Sequence, residues 1–422
     1  MRRFVNRFAA GSLLGRAGLV TGAEGVNRIT RIVTAIALAR SLDIAEFGLA
    51  MAALTIHELV RMFIQNGLGT RIVAAQAYEA EAVTQSVHRL NWWLGISLCC
   101  AQLAIAWPIA VYFGSIELGM AVAVLALVHV IYPFAMVQVY LAQRADKWGL
   151  VAFAIAVQAG LDNLLTAALA IAGFGIWAVA LPKIAVAVLW VLFHRRMTQW
   201  TASPKPARGQ DRALLSYAGK VLGVELLASL RAHGDKAVVG LMLGPAALGL
   251  YAFAANIGKG ITLSLSQSLS AVVLPHLRRG REAGCLRRTH AETMTTMTLA
   301  VAPFAVAVAA TSDWLVPLLF GEKWAPASDL VAILAIASLA HPLIAATSQM
   351  LRASERVGED LVIGAGLTAS LFSALFLALP YGLTAAVIVL AATQIAIGIA
   401  VAVYSFKSLA GTVSGPLPEA TA

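Results

Sequence analysis

Charge is scarce in this chain. Only 12% of its 422 residues are charged, against 60% hydrophobic, and the mean hydropathy is +0.81. Soluble domains carry about 25% charged residues, so a water-soluble globular fold is excluded. Cysteine is scarcer still: Cys99 and Cys100 adjoin within an apolar run, and Cys285 stands alone in a basic stretch. That spacing fits neither a metal site nor a disulfide framework and predicts free thiols. His129, His194, His233 and His341 are scattered without ligand spacing, so no metal site is expected. No Gly-x-x-x-x-Gly-Lys-Ser/Thr loop occurs, and no polar stretch is long enough for a separate soluble domain. Nucleotide chemistry is thereby disfavoured, and transport is favoured over catalysis.

What the chain has in abundance is apolar runs of membrane length. A hydrocarbon core of about 30 Å takes about 20 helical residues. Twelve such stretches follow one another, at about 13–39, 47–69, 90–113, 118–142, 149–172, 175–194, 213–243, 247–274, 293–320, 327–351, 359–380 and 383–406. Short connectors alternate with longer basic ones, as in hairpins of antiparallel helices. The expected fold is all-α, a polytopic membrane protein of about twelve spans. Arg2, Arg3 and Arg7 precede the first apolar run as in a secretory signal. That run continues into Glu24 and Arg28, so it reads as a retained first span.

The net charge of +10 belongs to topology rather than to nucleic acid. With the amino terminus inside, 21 Lys and Arg residues fall on the same-side segments, against two, Arg40 and Lys323, on the other. The positive-inside rule then places both termini on the cytoplasmic side. The longest connector, 195–212, contains Ser203-Pro204-Lys205-Pro206 and reads as a basic cytoplasmic linker between a six-helix bundle over 1–194 and a second over 213–407. Residues 408–422 read as a disordered tail. A shift of 201 positions lays Leu42, Ala45, Gly48, Leu49 and Ala53 on Leu243, Ala246, Gly249, Leu250 and Ala254 without a gap. The halves therefore read as pseudo-repeats of like orientation around a central cavity.

The few intramembrane charges lie in stripes. At 100° per residue, Glu24, Asn27, Arg28 and Arg31 share one face of the first span, and His57, Glu58, Arg61 and Gln65 one face of the second. Asn256, Lys259, Thr262, Ser266 and Ser270 line the eighth span; Glu225, Ser229 and Lys236 share a face of the seventh. In the fifth, Gln158, Asp162 and Thr166 recur at four-residue spacing, which suits either a cation or proton site or an interhelical hydrogen bond. Charges in hydrocarbon cost at least about 2.5 to 3.5 kcal/mol each, so they normally face protein or a wet cavity. Pairing along one helix is the plainer reading for Glu24 with Arg28 and for His57 with Arg61. Lys183 stands isolated and reads as snorkelling, and the tryptophans, Trp324 among them, read as an interfacial belt.

Eight basic residues against Glu24, Glu58, Asp162, Glu225 and Asp235 leave the spans three charges positive. Arg28, Arg31, Arg61 and Lys259 are the candidate contacts to a polyanionic head group such as a pyrophosphate. Glu24, Asn27, Glu58, Asp162, Glu225 and Asn256 are the candidate polar or coupling groups.

Three clusters carry a family resemblance: Ala39-Arg40-Ser41-Leu42 with Glu46-Phe47-Gly48 and Gly67-Leu68-Gly69-Thr70; Asp235-Lys236-Ala237-Val238-Val239-Gly240 with Leu248-Gly249-Leu250-Tyr251; and Phe320-Gly321-Glu322-Lys323-Trp324-Ala325-Pro326-Ala327 with Leu351-Arg352-Ala353. With these the chain resembles the O-antigen and exopolysaccharide flippases of the multidrug, oligosaccharidyl-lipid and polysaccharide exporter superfamily. The resemblance implies no enzyme activity and a substrate of undecaprenyl-diphosphate-linked oligosaccharide. It implies alternating access driven by H+, Na+ or the membrane potential, with polysaccharide polymerase and chain-length machinery as partners. Peptidoglycan-precursor flippases are less similar, since they usually add two spans. A multidrug exporter of the same architecture is the alternative, for which a carboxylate-dominated cavity is expected.

Overall fold

A computed structural model describes residues 30–65, 69–76, 78–202, 226 and 229–410. Among these residues there is no strand. The helices are α1 (30–41), α2 (Ile44–Gln65), α3 (Thr70–Ala74), α4 (Ala80–Phe113), α5 (Ile116–Ile131), α6 (Met136–Arg144), α7 (Trp148–Ile171) and α8 (Trp177–Met197). They continue with α9 (Asp235–Glu282), α10 (Leu286–Phe320), α11 (Ser328–Ala337), α12 (Ala340–Ala353), α13 (Val357–Ala378) and α14 (Leu383–Ala410).

Nine stretches among the described residues are long and apolar enough to cross a membrane. One of them, Leu230–Ser270, spans a break at Gly244, whose φ of 82° is not helical. The break falls where the expected seventh and eighth spans part. Most of the first expected span, with Glu24, Asn27 and Arg28, lies outside the described residues, as do Glu225, most of the linker and the tail. The chain packs as two compact units that divide after Gly249, later than the 195–212 linker. The helix before Gly244 belongs to the first unit because it is fastened there: the Tyr112 hydroxyl donates to the Leu241 carbonyl.

In the first unit the hairpin α4–α5 turns at Gly114 and Ser115, with the Ser115 hydroxyl accepting from the Leu118 amide at 3.2 Å. Such a cap satisfies one of the orphan amides of a helix start. Pro133 ends α5 in a short 3-10 turn before α6. Ile72, Val83, Val87, Val128, Tyr132, Met136, Val137 and Tyr140 form the apolar core at this end. Arg144 closes it, its Nη1 donating to the carbonyls of Ile72 at 2.7 Å and Ala75 at 2.6 Å, the open end of α3.

The second unit repeats the arrangement. Val273, Leu277, Met294, Met297, Met350 and Leu351 form its core, and Arg281 Nη1 donates to the Ala353 carbonyl at 3.0 Å. The turns that open α7 and α13 match as well. Each carries an acidic residue at positive φ, Asp146 at 58° and Glu355 at 63°, the two non-glycine residues so placed among those described. In each the next amide reaches back five residues, Lys147 to the Ala142 carbonyl and Arg356 to that of Leu351.

A further contact carries the repeat into packing. A Cβ added at Gly48 would lie 1.8 Å from the Pro245 carbonyl oxygen, and one added at Gly249 would lie 2.2 Å from that of Ile44. These pairs exchange under the 201-residue shift, so two helix starts cross backbone to backbone through equivalent glycines. Small residues permit this approach, which is how membrane helices pack without a hydrophobic drive between them.

The Phe320–Ala327 motif also has a structural role. Gly321 turns the chain at φ 102°, and Trp324 then inserts into the second unit's core, fully buried. Its ring stacks on Phe253 at 4.2 Å, and Phe320 meets Phe253 edge-on at 4.9 Å. Trp324 is therefore a core anchor and not part of an interfacial belt. Trp93, Trp107 and Trp314 are exposed, as a belt requires.

Candidate functional site

The polar residues of the first unit gather on α2, α4, α5, α7 and α8. Arg61 and Glu58, both half-buried, form an ion pair at i and i+3 on α2. Arg61 Nε and Nη2 both donate to Glu58 Oε2, at 3.0 and 2.6 Å. One carboxylate oxygen takes both bonds, so Glu58 Oε1 and Arg61 Nη1 lie outside this contact. The Tyr132 hydroxyl adjoins the Arg61 guanidinium and accepts from Gln158 Nε2 at 3.3 Å. Gln158 thereby ties α7 to the cluster.

Asp162, one turn further along α7, takes Lys183 of α8 as its partner. Lys183 is therefore neither isolated nor snorkelling, and the hydrogen bond expected of Asp162 goes to a cation rather than to a neutral side chain. Burying two opposite charges together lowers the cost that either would meet alone. Arg61 with Glu58 and Lys183 with Asp162 make this group of four charge-balanced.

His57 and His129 are both buried and stack with ring centroids 5.1 Å apart. Gln102 orients the second ring. Its Nε2 donates to the Val122 carbonyl at 2.8 Å, which turns Oε1 toward His129 Nε2 at 2.7 Å. Because Oε1 accepts, His129 carries its proton on Nε2. His57 thus faces an imidazole of another helix; the i, i+4 partnership with Arg61 is replaced by Glu58.

Arg31 is exposed on α1. The neighbouring face of α1 is held to α7, with Thr34 Oγ1 donating to the Asn163 carbonyl at 2.7 Å and Asn163 Nδ2 to Thr30 Oγ1 at 3.0 Å.

In the second unit Lys259 is half-buried and Asn256 exposed. Lys259 lies within electrostatic reach of His341, which contacts Gln394 Nε2 at 3.0 Å. Much of the polar stripe on α9 satisfies itself: Thr262 Oγ1 donates to the Lys259 carbonyl at 2.8 Å, and Ser270 Oγ to that of Ser266 at 2.8 Å. No group of His, Cys, Asp or Glu able to hold a metal ion occurs among the described residues. Cys99, Cys100 and Cys285 are free thiols.

His129, Gln102, Tyr132, His341 and Gln394 were not among the candidates drawn from the sequence. A signal existed for the Asp162–Lys183 pair, because each lies about ten residues from the middle of the hairpin at Gly173 and so at equal depth.

Helices of membrane length, with charged groups paired inside the bundles among the described residues, define a polytopic membrane protein, and its fold is shared with solved transporters. The fold is similar to that of the lipid II flippase MurJ in an inward closed conformation, with a TM-score of 0.78, 12% identity, and 92% of this chain and 87% of that one covered. An inward-facing multidrug resistance MATE family transporter of the MOP superfamily matches with a TM-score of 0.66 and 14% identity, over 94% of this chain and 100% of that one. The greater likeness in backbone is thus to the lipid II flippase. Residues 37–329 match the family described as polysaccharide biosynthesis protein, and the chain belongs to that family. Two relatives are the succinoglycan biosynthesis transport protein ExoT of Rhizobium meliloti (strain 1021) and the teichuronic acid biosynthesis protein TuaB of Bacillus subtilis (strain 168). The first is 24% identical over 72% of this chain and 62% of its own length. The second is 24% identical over 80% and 72%. The match thus spans less than two thirds of ExoT.

Proposed function

We propose that this protein is a flippase, not an enzyme, and that it moves an undecaprenyl-diphosphate-linked oligosaccharide from the cytoplasmic to the periplasmic leaflet by alternating access. The family match over residues 37–329 carries the reading. The cations within apolar spans support it, because a pyrophosphate crossing hydrocarbon needs compensating charge along its path.

In this reading Arg28, Arg31 and Arg61 offer phosphate oxygens paired N–H donors, whereas Lys259 acts as a point charge. Arg61 binds by turning part of its guanidinium from Glu58 to the substrate. Glu24, Asn27, Glu58, Asp162, Glu225 and Asn256 are the polar groups that rebalance charge as substrate enters and leaves. Coupling to H+, Na+ or the membrane potential supplies direction. The protein lies in a bacterial inner membrane with both termini cytoplasmic, and works beside polysaccharide polymerase and chain-length machinery.

The test is genetic. Arg28→Ala, Arg61→Ala and Lys259→Ala are introduced singly and as the Arg61→Ala/Lys259→Ala double variant, with the amount of protein in the membrane measured alongside. Loss of surface polysaccharide at unchanged protein level is expected. Full retention of polymer by the double variant would sink the assignment of these cations.

A further inference from the structure

The second unit holds a cavity of about 430 Å³ between the end of α9 and the start of α10, lined by Leu269, Val273, His276 and Arg279 on one helix and Glu292, Thr293, Thr296 and Met297 on the other. The two sets follow helical spacing, so each presents one face. At the hairpin the helices touch: Gly280 sits so close to Thr289 that an added Cβ would lie 2.4 Å from its hydroxyl oxygen. The cavity lies beyond that contact, beside the buried core that Val273 and Met297 share.

Its lining changes character along the helices. Arg279, His276 and Glu292 lie at the hairpin end, Thr293 and Thr296 next, and Val273, Met297 and Leu269 further in. Leu269 is ten residues from Arg279, about 15 Å along the axis. A polar mouth over an apolar shaft, aligned with membrane-spanning helices, has the polarity of a phospholipid. The sign of the mouth is positive. Arg279 lines it, and the one carboxylate in the lining, Glu292, is engaged by Arg288 Nε at 2.8 Å. Arg279 is exposed, and its long contact of 3.4 Å from Nε to the Pro275 carbonyl leaves its terminal nitrogens outside that bond. Basic pockets of this kind between membrane helices suit anionic head groups.

We infer that this cavity binds an anionic phospholipid of the surrounding leaflet, its phosphate at Arg279 and His276 and one acyl chain along Val273, Met297 and Leu269. The site is separate from the residues assigned to the transported substrate, and it tethers the hairpin α9–α10 to the bilayer surface.

The full chain purified in detergent is titrated with phosphatidylglycerol and, separately, with phosphatidylcholine, and bound lipid is counted by native mass spectrometry. Phosphatidylglycerol should bind about tenfold more tightly, as one charge-assisted contact supplies. Arg279→Gln should abolish the preference, whereas Arg278→Gln, on a neighbouring residue outside the lining, should keep it. Thr296→Trp, which fills the cavity without touching its charge, should abolish binding at an unchanged thermal midpoint. Equal binding of the two lipids by the unsubstituted protein overturns the inference, as does a preference that survives both Arg279→Gln and Thr296→Trp. Displacement of phosphatidylglycerol by an equimolar polyprenyl diphosphate would also overturn it and give the cavity to the transported lipid.

Discussion

The crossing of Gly48 and Gly249 makes a demanding prediction. Alanine at either position brings a methyl carbon to 1.8 Å from the Pro245 oxygen or 2.2 Å from the Ile44 oxygen, where ordinary contact is 3.4–4 Å. The neighbouring atom in each case belongs to the backbone and cannot rotate away, so the two segments must separate by more than about 1 Å. Overpacking of this kind costs about 1–3 kcal/mol. Alanine recovers up to about 1 kcal/mol through its higher helix propensity. The net expectation is a loss of about 1–2 kcal/mol for each single variant. Because both methyls force the same separation, the second substitution should cost much less than the first, with a coupling of about 0.5–2 kcal/mol. The assay is the apparent thermal midpoint of the detergent-solubilised protein at one fixed scan rate, since unfolding of large proteins is often irreversible. A fall of about 2 °C or more is expected for each single variant. Gly160→Ala is the control: nothing lies within 4 Å of the added carbon, so it should be neutral or slightly stabilising. Single variants as stable as the parent, or losses that add in the double variant, would refute the crossing.

Three further outcomes follow from the packing. Asp162→Asn should destabilise the protein by about 1–3 kcal/mol by leaving the Lys183 charge uncompensated, and Asp162→Asn combined with Lys183→Met should recover most of the loss, read as monodisperse yield and thermal midpoint. Trp324→Ala should cost about 3–5 kcal/mol, since the ring is fully buried and stacked on Phe253, and Trp324→Phe markedly less; size-exclusion profiles after mild heating would separate them. Asp146→Gly should stabilise by about 0.5–1 kcal/mol, because glycine takes φ 58° without the steric cost of a side chain, and limited proteolysis at the α6–α7 turn should slow accordingly.

Much of the fold was legible because a membrane reduces the problem to length and polarity. The expected runs 149–172 and 359–380 correspond to Trp148–Ile171 and Val357–Ala378. Breaks inside apolar runs were harder to see. The 118–142 run is cut at Tyr132–Phe134 and the 327–351 run after Ala337, because the local turns there leave composition unchanged. Helix ends were misplaced where polar residues continue a helix past the hydrocarbon: α4 begins at Ala80, not near 90, and α9 runs on to Glu282.

The candidate site was legible by residue type and not by partner. Periodicity put Glu58 and Arg61 on one face of α2, but it says nothing about which other helix faces them. Gln102 comes to this group from α4, His129 from α5 and Tyr132 from the 3-10 turn that follows α5, and no one-helix pattern distinguishes them from core. Lys183 was misread for the same reason, since a lone cation in an apolar helix looks the same whether it snorkels or meets a carboxylate. Equal distance from a hairpin turn is the discriminating feature.

The paired charges bear on how a cationic path can be kept in hydrocarbon. An arginine held only to receive a substrate would stand unpaired in its absence and would carry the full cost of burial. Arg61 instead rests on Glu58, using two nitrogens on one oxygen. That contact is weaker than a two-oxygen fork, and a pyrophosphate, with more oxygens and more charge than one carboxylate, is the stronger acceptor. On the proposed function, exchange of partner would let substrate enter without creating an unpaired cation, and its departure would restore the resting pair. Glu58→Gln separates this from a purely structural pair. It keeps an acceptor for Arg61 but removes the charge, so substrate should bind more tightly and leave more slowly. Surface polysaccharide should then fall while protein level holds, with lipid-linked precursor accumulating on the protein as read by native mass spectrometry. Polysaccharide at the parental level together with no retained precursor would show that the pair only supports the fold.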